Sequence, residues 1–111
     1  MTELKDRKCK PCEGGVKPYT TDEARALLTQ LDSRWRLDEQ GVALHRELRF
    51  ENFFHTMSFV NALAHIANVT DHHPDLEVGY DYCRITYSTH SIGGLSDNDF
   101  ICAARIDALA S

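Results

Sequence analysis

One stretch of this chain, Glu51 to about Val69, carries the helical period on two sides at once. Phe53, Phe54, Met57, Val60, Asn61, Ala64 and Ala67 fall on one face, and Phe59, Leu63 and Ile66 follow at i, i+4, i+7 on another. Glu51, His55, Ser58 and His65 leave only a narrow polar strip. Such a helix needs apolar cover on both sides. A chain of 111 residues has room for one domain and little else to supply that cover. The helix is therefore expected to pack on its own sheet and also on a second copy of the chain, with the Phe59 stripe as the contact between copies.

The segments around it sort into a short alternating order. Residues 1–19 are charged, broken by Gly and Pro and without period, which reads as a flexible N-terminal arm. The single domain then spans residues 20–111. Thr20-Thr21-Asp22-Glu23 has the spacing of a capping box, and Ala24, Leu27, Leu28 and Leu31 form one stripe of a helix ending near Asp32-Ser33. Trp35 and Leu37 alternate with charged neighbours, Asp38 to Gly41 offers a turn, and Val42, Leu44, Leu48 and Phe50 share one face of a second strand. Arg46 is the misfit on that face. Beyond the long helix, Leu76 to Tyr82 and Cys83 to Tyr87 alternate as two further strands with a turn near Asp81. Ser96-Asp97-Asn98-Asp99 resembles a second capping box, opening a last helix with Phe100, Ile101, Ala104 and Ala108. The order α-β-β-α-β-β-α predicts an α+β domain: a four-stranded antiparallel sheet with helices packed on one face.

Composition narrows the function classes. Twelve basic against seventeen acidic residues give a formal charge of −5, the wrong sign for direct nucleic acid binding. No apolar run approaches the ~20 residues that span a bilayer, and the charged start lacks the apolar stretch of a secretory signal. A cytoplasmic location follows as the expectation, with the four cysteines as free thiols, Cys83 and Cys102 packing as small hydrophobes.

The six histidines carry the chemistry. His45 falls on the solvated side of a strand, and His55 and His65 lie on the polar strip of the long helix. The other three stand in dense polar segments, Asp71-His72-His73-Pro74 and Ser88-Thr89-His90-Ser91-Ile92, with Asp99 further on. Imidazole gives and takes protons near neutral pH, so this cluster suits general acid/base work. Pro74 biases His73 towards an extended backbone and fixes the exit of the loop. Asp99 serves equally well as the acidic partner of a helix cap or as part of a site. A three-histidine metal site is the rival reading, but adjacent histidines rarely aim at one ion and the usual i,i+2 or i,i+4 spacing is missing. Cys9-x-x-Cys12 lacks the second close pair of a structural zinc site. No metal is expected.

These residues resemble the pterin-4a-carbinolamine dehydratase family. The resemblance rests on His72-His73-Pro74, Tyr80, Ser88-Thr89-His90, Gly94-Leu95-Ser96 and Asp99, in order and at the family's spacing, with Trp35 and Phe53 as further matches. It covers the chain from about Thr20 to the end, and the Cys-x-x-Cys arm is similar to that of some bacterial members. At Asn68 the family usually has an acidic residue. An asparagine supplies no negative charge to hold a nearby histidine protonated.

The resemblance implies a dehydratase that converts 4a-hydroxytetrahydropterin, left by aromatic amino acid hydroxylases, to quinonoid dihydropterin and water, without a cofactor. It implies His72 and His90 as the proton-transfer pair, with His73 binding and orienting the ring. Asp71, Pro74, Ser88, Thr89, Ser91, Ile92 and Asp99 would complete the substrate site. Which histidine is the acid stays open. The resemblance also implies a homodimer or homotetramer in which long helices meet. Two other classes stand beside the enzyme: a pterin-binding or dimerisation-cofactor scaffold with weak or no catalysis, and a metal-binding protein built on the histidines.

Overall fold

In the computed structural model, residues 3–10 and 17–111 are described. Helix α1 (Thr21–Leu28) starts where the Thr20 hydroxyl accepts from the Glu23 backbone at 3.1 Å and the Glu23 carboxylate accepts from the Thr20 backbone at 2.9 Å. This closes the capping box read from the sequence. The helix stops several residues before the expected Asp32. The Thr29 hydroxyl donates to the Ala26 carbonyl, and Gln30 and Leu31 continue only as i→i−3 turns. Leu31 still reaches the core from that turn.

Strands β1 (Arg36–Leu37) and β2 (Leu44–Arg49) form the first hairpin, with Leu37 opposite Leu44. The sequence placed Val42 on the core face of β2. Instead Val42 and Ala43 both donate their backbone N–H to Asp38 Oδ1, at 2.8 and 3.2 Å, so the turn keeps them out of the ladder and Val42 is exposed. Gly41 in this turn has φ +70°, and a β-carbon there would meet Thr21 Oγ1 at 2.8 Å, so only glycine fits without strain.

The long helix α2 (Phe53–Thr70) begins at Asn52, whose side chain accepts from the His55 backbone at 2.9 Å. Strands β3 (Asp75–Val78) and β4 (Tyr82–Tyr87) make the second hairpin, its turn centred on residues 79–81. Helix α3 (Asp97–Ala110) closes the chain. The sheet order is β1-β2-β4-β3, antiparallel throughout, with β2 and β4 central and β3 an exposed edge. The predicted fold class, α+β with a four-stranded antiparallel sheet, is the one observed.

Alternation along β2 and β4 gives the sheet two unlike faces. Leu44, Cys83, Ile85 and Tyr87 point into the core, where Phe59, Leu63, Leu95, Phe100 and Ile106 pack with them. On the open face Arg84 stands opposite Glu47 and Glu77 and donates to both carboxylates, at 2.6 and 2.7 Å.

Which side of α2 faces in reverses the expectation. Thr56, Phe59, Leu63 and Ala67 are its buried residues, whereas Phe53, Phe54 and Val69 are exposed. The Phe59 stripe is therefore intramolecular core, and the outward stripe is the Phe53/Phe54 side. Periodicity found both stripes but could not orient them, because both are apolar and only the position of the sheet breaks the tie.

Arg46, the apparent misfit, is 4% exposed on the core face. Its guanidinium donates to Asp107 Oδ1 at 2.5 Å, the Trp35 indole N–H donates to the same oxygen at 2.6 Å, and the Asp32 backbone donates to Oδ2 at 2.8 Å. A buried charge needs such a partner. The carboxylate comes from α3, 61 residues away in sequence.

The described part of the N-terminal segment lies along α3. Leu4 sits in a short 3-10 turn (Leu4–Asp6) and is buried, Arg105 donates to the carbonyls of Lys5 and Arg7, and Lys10 exchanges two hydrogen bonds with Asn98. Cys12 lies outside the described residues.

Candidate active site

The end of α2, the end of β4 and the start of α3 converge on one cleft. Helix α2 finishes with Asp71 in the left-handed region, φ 52°, its N–H reaching the carbonyls of Ala67 and Asn68. Asp tolerates that conformation better than most residues. The reversal carries His72 back over the helix end, where its N–H bonds the Ala67 carbonyl at 3.2 Å. Its ring then stacks on Tyr87 of β4, centroids 5.5 Å apart and nearly parallel.

Asp99 fixes that ring. This wholly buried carboxylate accepts from His72 Nε2 at 2.6 Å on Oδ1. On Oδ2 it accepts from the Thr89 hydroxyl at 2.7 Å and the Ser96 backbone at 3.0 Å. The Thr89 proton is thus committed to Asp99, so the Ser96 hydroxyl is the donor in its 2.8 Å contact with Thr89. One carboxylate therefore does both things the sequence offered as alternatives: Oδ2 caps α3 and Oδ1 holds a histidine. Burial alone would lower the pKa of His72, but the hydrogen bond and negative charge of Asp99 outweigh it and leave it raised. Donation of Nε2–H to Asp99 leaves Nδ1 as the ring nitrogen with an exchangeable proton.

His73 and His90 are exposed. His73 Nε2 lies 3.4 Å from Asn68 Oδ1, where the amide oxygen accepts. His90 opens a 3-10 turn (His90–Ile92) that ends at Gly93 with φ 69°. That turn is clamped by an antiparallel bridge in which Thr89 donates to the Gly94 carbonyl at 2.8 Å.

The cleft between these segments has a volume of about 500 Å³. Of the residues singled out in the sequence, Asp71, His72, His73, Ser88, Thr89, His90 and Ser91 line it. Asp99 stands behind His72, and Pro74 and Ile92 are half-buried beside the cleft without lining it. The sequence reading missed Cys9, Lys10, Thr70 and Asn98, which complete the wall. Cys9 and Lys10 belong to the N-terminal arm, whose sequence carries no local pattern that could place them there. A larger concavity, about 800 Å³, lies on the open face of the sheet among Arg36, His45, Glu77 and Arg84. Glu47 and Glu77 there are tied up in ion pairs with Arg84, and it holds one histidine against three in the cleft. Among the described residues, no three His, Cys, Asp or Glu side chains gather as a metal ion would require.

A family model for pterin 4 alpha carbinolamine dehydratase matches residues 17–109. A protein of Nitrosomonas europaea, assigned provisionally by its name to the pterin-4-alpha-carbinolamine dehydratases, is 55% identical over 109 residues. The match covers 98% of this chain and 95% of that protein. The crystal structure of a transcriptional coactivator/pterin dehydratase from Brucella melitensis superposes with a TM-score of 0.80 at 28% identity, covering 86% of this chain and all of the other. A pterin dehydratase-like protein described as a RuBisCO assembly factor in the alpha-carboxysome superposes at 0.61 with 29% identity, over 69% of this chain and 89% of its own. Among the described residues no helix is long and apolar enough to cross a membrane.

Proposed function

Because this chain belongs to the pterin 4 alpha carbinolamine dehydratase family, we propose that its cleft dehydrates 4a-hydroxytetrahydropterin to quinonoid dihydropterin. The observation that carries the reading is the hydrogen bond of His72 to the buried Asp99 carboxylate, 2.6 Å, on the wall of a cleft that also holds His73 and His90.

The reaction breaks a carbon–oxygen bond and removes a proton from a neighbouring ring nitrogen. One group must therefore protonate the leaving hydroxyl, and another must accept the nitrogen's proton. His72 suits the first task. The Asp99 carboxylate favours its charged form, which holds a proton that Nδ1 can deliver to the leaving oxygen. His90, exposed on the turn at the same cleft, suits the second as the proton acceptor. His73 and the polar groups of Asp71, Ser88, Thr89 and Ser91 would hold the flat, hydrogen-bonding ring. These residues supply proton transfer and orientation on their own, so the reading includes no metal or organic cofactor.

The test is an absorbance assay on freshly generated 4a-hydroxytetrahydropterin. Acceleration over the spontaneous rate, lost in both His72→Ala and His90→Ala, supports the assignment. Wild-type rates in both variants would overturn it. A second reading, a pterin-binding or dimerisation scaffold with weak catalysis, draws on Asn68, which places a neutral amide beside His73. The absence of acceleration by wild-type protein that still binds a pterin would favour it. Self-association through the exposed Phe53/Phe54 side of α2, as homodimer or homotetramer, belongs to both readings, as does a cytoplasmic place beside an aromatic amino acid hydroxylase.

A further inference from the structure

The Cys-x-x-Cys motif does not enter the dehydration reading, and the structure takes its first cysteine elsewhere. Cys9 lies with its sulfur 3.6 Å from that of Cys102, 93 residues away on α3. The approach is built rather than incidental. The Lys10 N–H donates to Asn98 Oδ1 at 2.9 Å, Asn98 Nδ2 donates back to the Lys10 carbonyl at 2.5 Å, and Arg105 holds the carbonyls of Lys5 and Arg7. Cys9 is half-buried and lines the cleft, whereas Cys102 is wholly buried behind it. The Thr70 hydroxyl lies 3.6 Å from the Cys102 sulfur.

We propose that Cys9 and Cys102 form an oxidant-sensitive thiol pair, a modification site that a peroxide entering the cleft converts to a disulfide joining the N-terminal segment to α3. Cys9 is the sulfur a small oxidant can reach. Its electron pair attacks one peroxide oxygen, the O–O bond breaks and hydroxide leaves, while the Cys9 proton passes to the Cys102 thiolate. The resulting Cys9 sulfenic acid is then attacked by the Cys102 sulfur. The S–S bond forms, the S–O bond breaks, and water leaves with the proton that Cys102 received. Each sulfur loses one electron and the peroxide gains two. The sulfurs must close from contact to the ~2.05 Å of a disulfide, which is within reach because Cys9 lies outside any helix or strand and can follow.

Electrostatics leave the two sulfurs one proton to share, with Cys102 as the base that receives it when Cys9 attacks. The Cys9 S–H donated to Cys102 brings that thiol's pKa down to about 6 against the opposing effect of burial, helped by Thr70 and by the charge of His72. The same bond raises Cys9, so the pair keeps its proton on Cys9 and the thiolate on Cys102.

The experiment treats the reduced full chain with a small excess of hydrogen peroxide, alkylates what remains, and reads intact mass and a protease map. The expected product has lost about 2 Da and two of its four thiols, with a peptide joining Cys9 to Cys102. Cys12→Ser should give the same link, and Cys9→Ser should abolish it. The rate should be roughly tenfold lower at pH 5 than at pH 7, as the thiolate is protonated. A Cys9–Cys12 link, a link between chains, or four thiols left free would each overturn the proposal. Because the readout is the covalent link, it stands or falls separately from the dehydratase reading.

Discussion

Asp99→Asn changes one buried atom and removes the charge on which the site turns. The wild-type carboxylate accepts three hydrogen bonds, from His72, Thr89 and Ser96. An amide has one accepting oxygen and an NH₂, so at least one of those donors is left facing another donor. A hydrogen bond to a charged group is worth about 1.5–3 kcal/mol, and a buried donor left unpaired costs about 1–3 kcal/mol. The expected loss is about 2.5–6 kcal/mol, against the ~5–15 kcal/mol typical of a domain. Urea unfolding at about 1–3 kcal/mol per molar should register it as a midpoint lower by about 1 M or more. The pH dependence separates charge from mere packing. Asp99 holds the native pKa of His72 above its ordinary value, so the histidine's contribution is fully present below the unfolded value of about 6.5 and is lost as pH rises through the raised native one. Without Asp99, burial opposes the charged imidazole and only the lesser charges of Cys102 and Asp71 favour it, so protonation contributes less to folding. The destabilisation should therefore be larger near pH ~6 than near pH ~9. An equal loss at both values, or a larger one at the higher, would refute the ion-pair account of this site.

His90→Ala should lower turnover by about 10²–10⁴-fold, the usual worth of a positioned proton-transfer group, with an unchanged urea midpoint because His90 is exposed. Leu63→Ala removes a side chain 1% exposed between α2 and the sheet, and should cost about 2–5 kcal/mol in the same unfolding assay. Phe54→Ser, at a residue 75% exposed, should leave folding intact but shift sedimentation towards smaller species, and an unchanged profile would show that this side of α2 is not a contact between copies. Asn68→Asp would put a carboxylate oxygen where the amide now accepts from His73, and turnover should rise severalfold in the absorbance assay.

What could be read in advance depended on how far each interaction reaches along the chain. Both capping boxes span three residues, and Thr20/Glu23 and Ser96/Asp99 are found where the spacing puts them. Strand alternation was equally local, and its failure at Val42 came from the Asp38 side chain taking two backbone donors that a strand would have used. His72, His73 and His90 were recognisable as a group, and the cleft does bring them together. Arg46 was visible as an anomaly and not as a solution, because its partner Asp107 is far away in sequence.

The amino-acid pattern by itself determined the elements, their order, the antiparallel α+β class and the polar segments from which a site could be drawn, since periodicity, caps and turn chemistry act over a few residues. Only the tertiary structure decided which apolar side of α2 became core, that one oxygen of Asp99 caps a helix while the other holds His72, and that Cys9 meets Cys102 at the cleft wall. Those choices depend on contacts 27 to 93 residues apart, and no local pattern encodes where a distant strand or helix will dock.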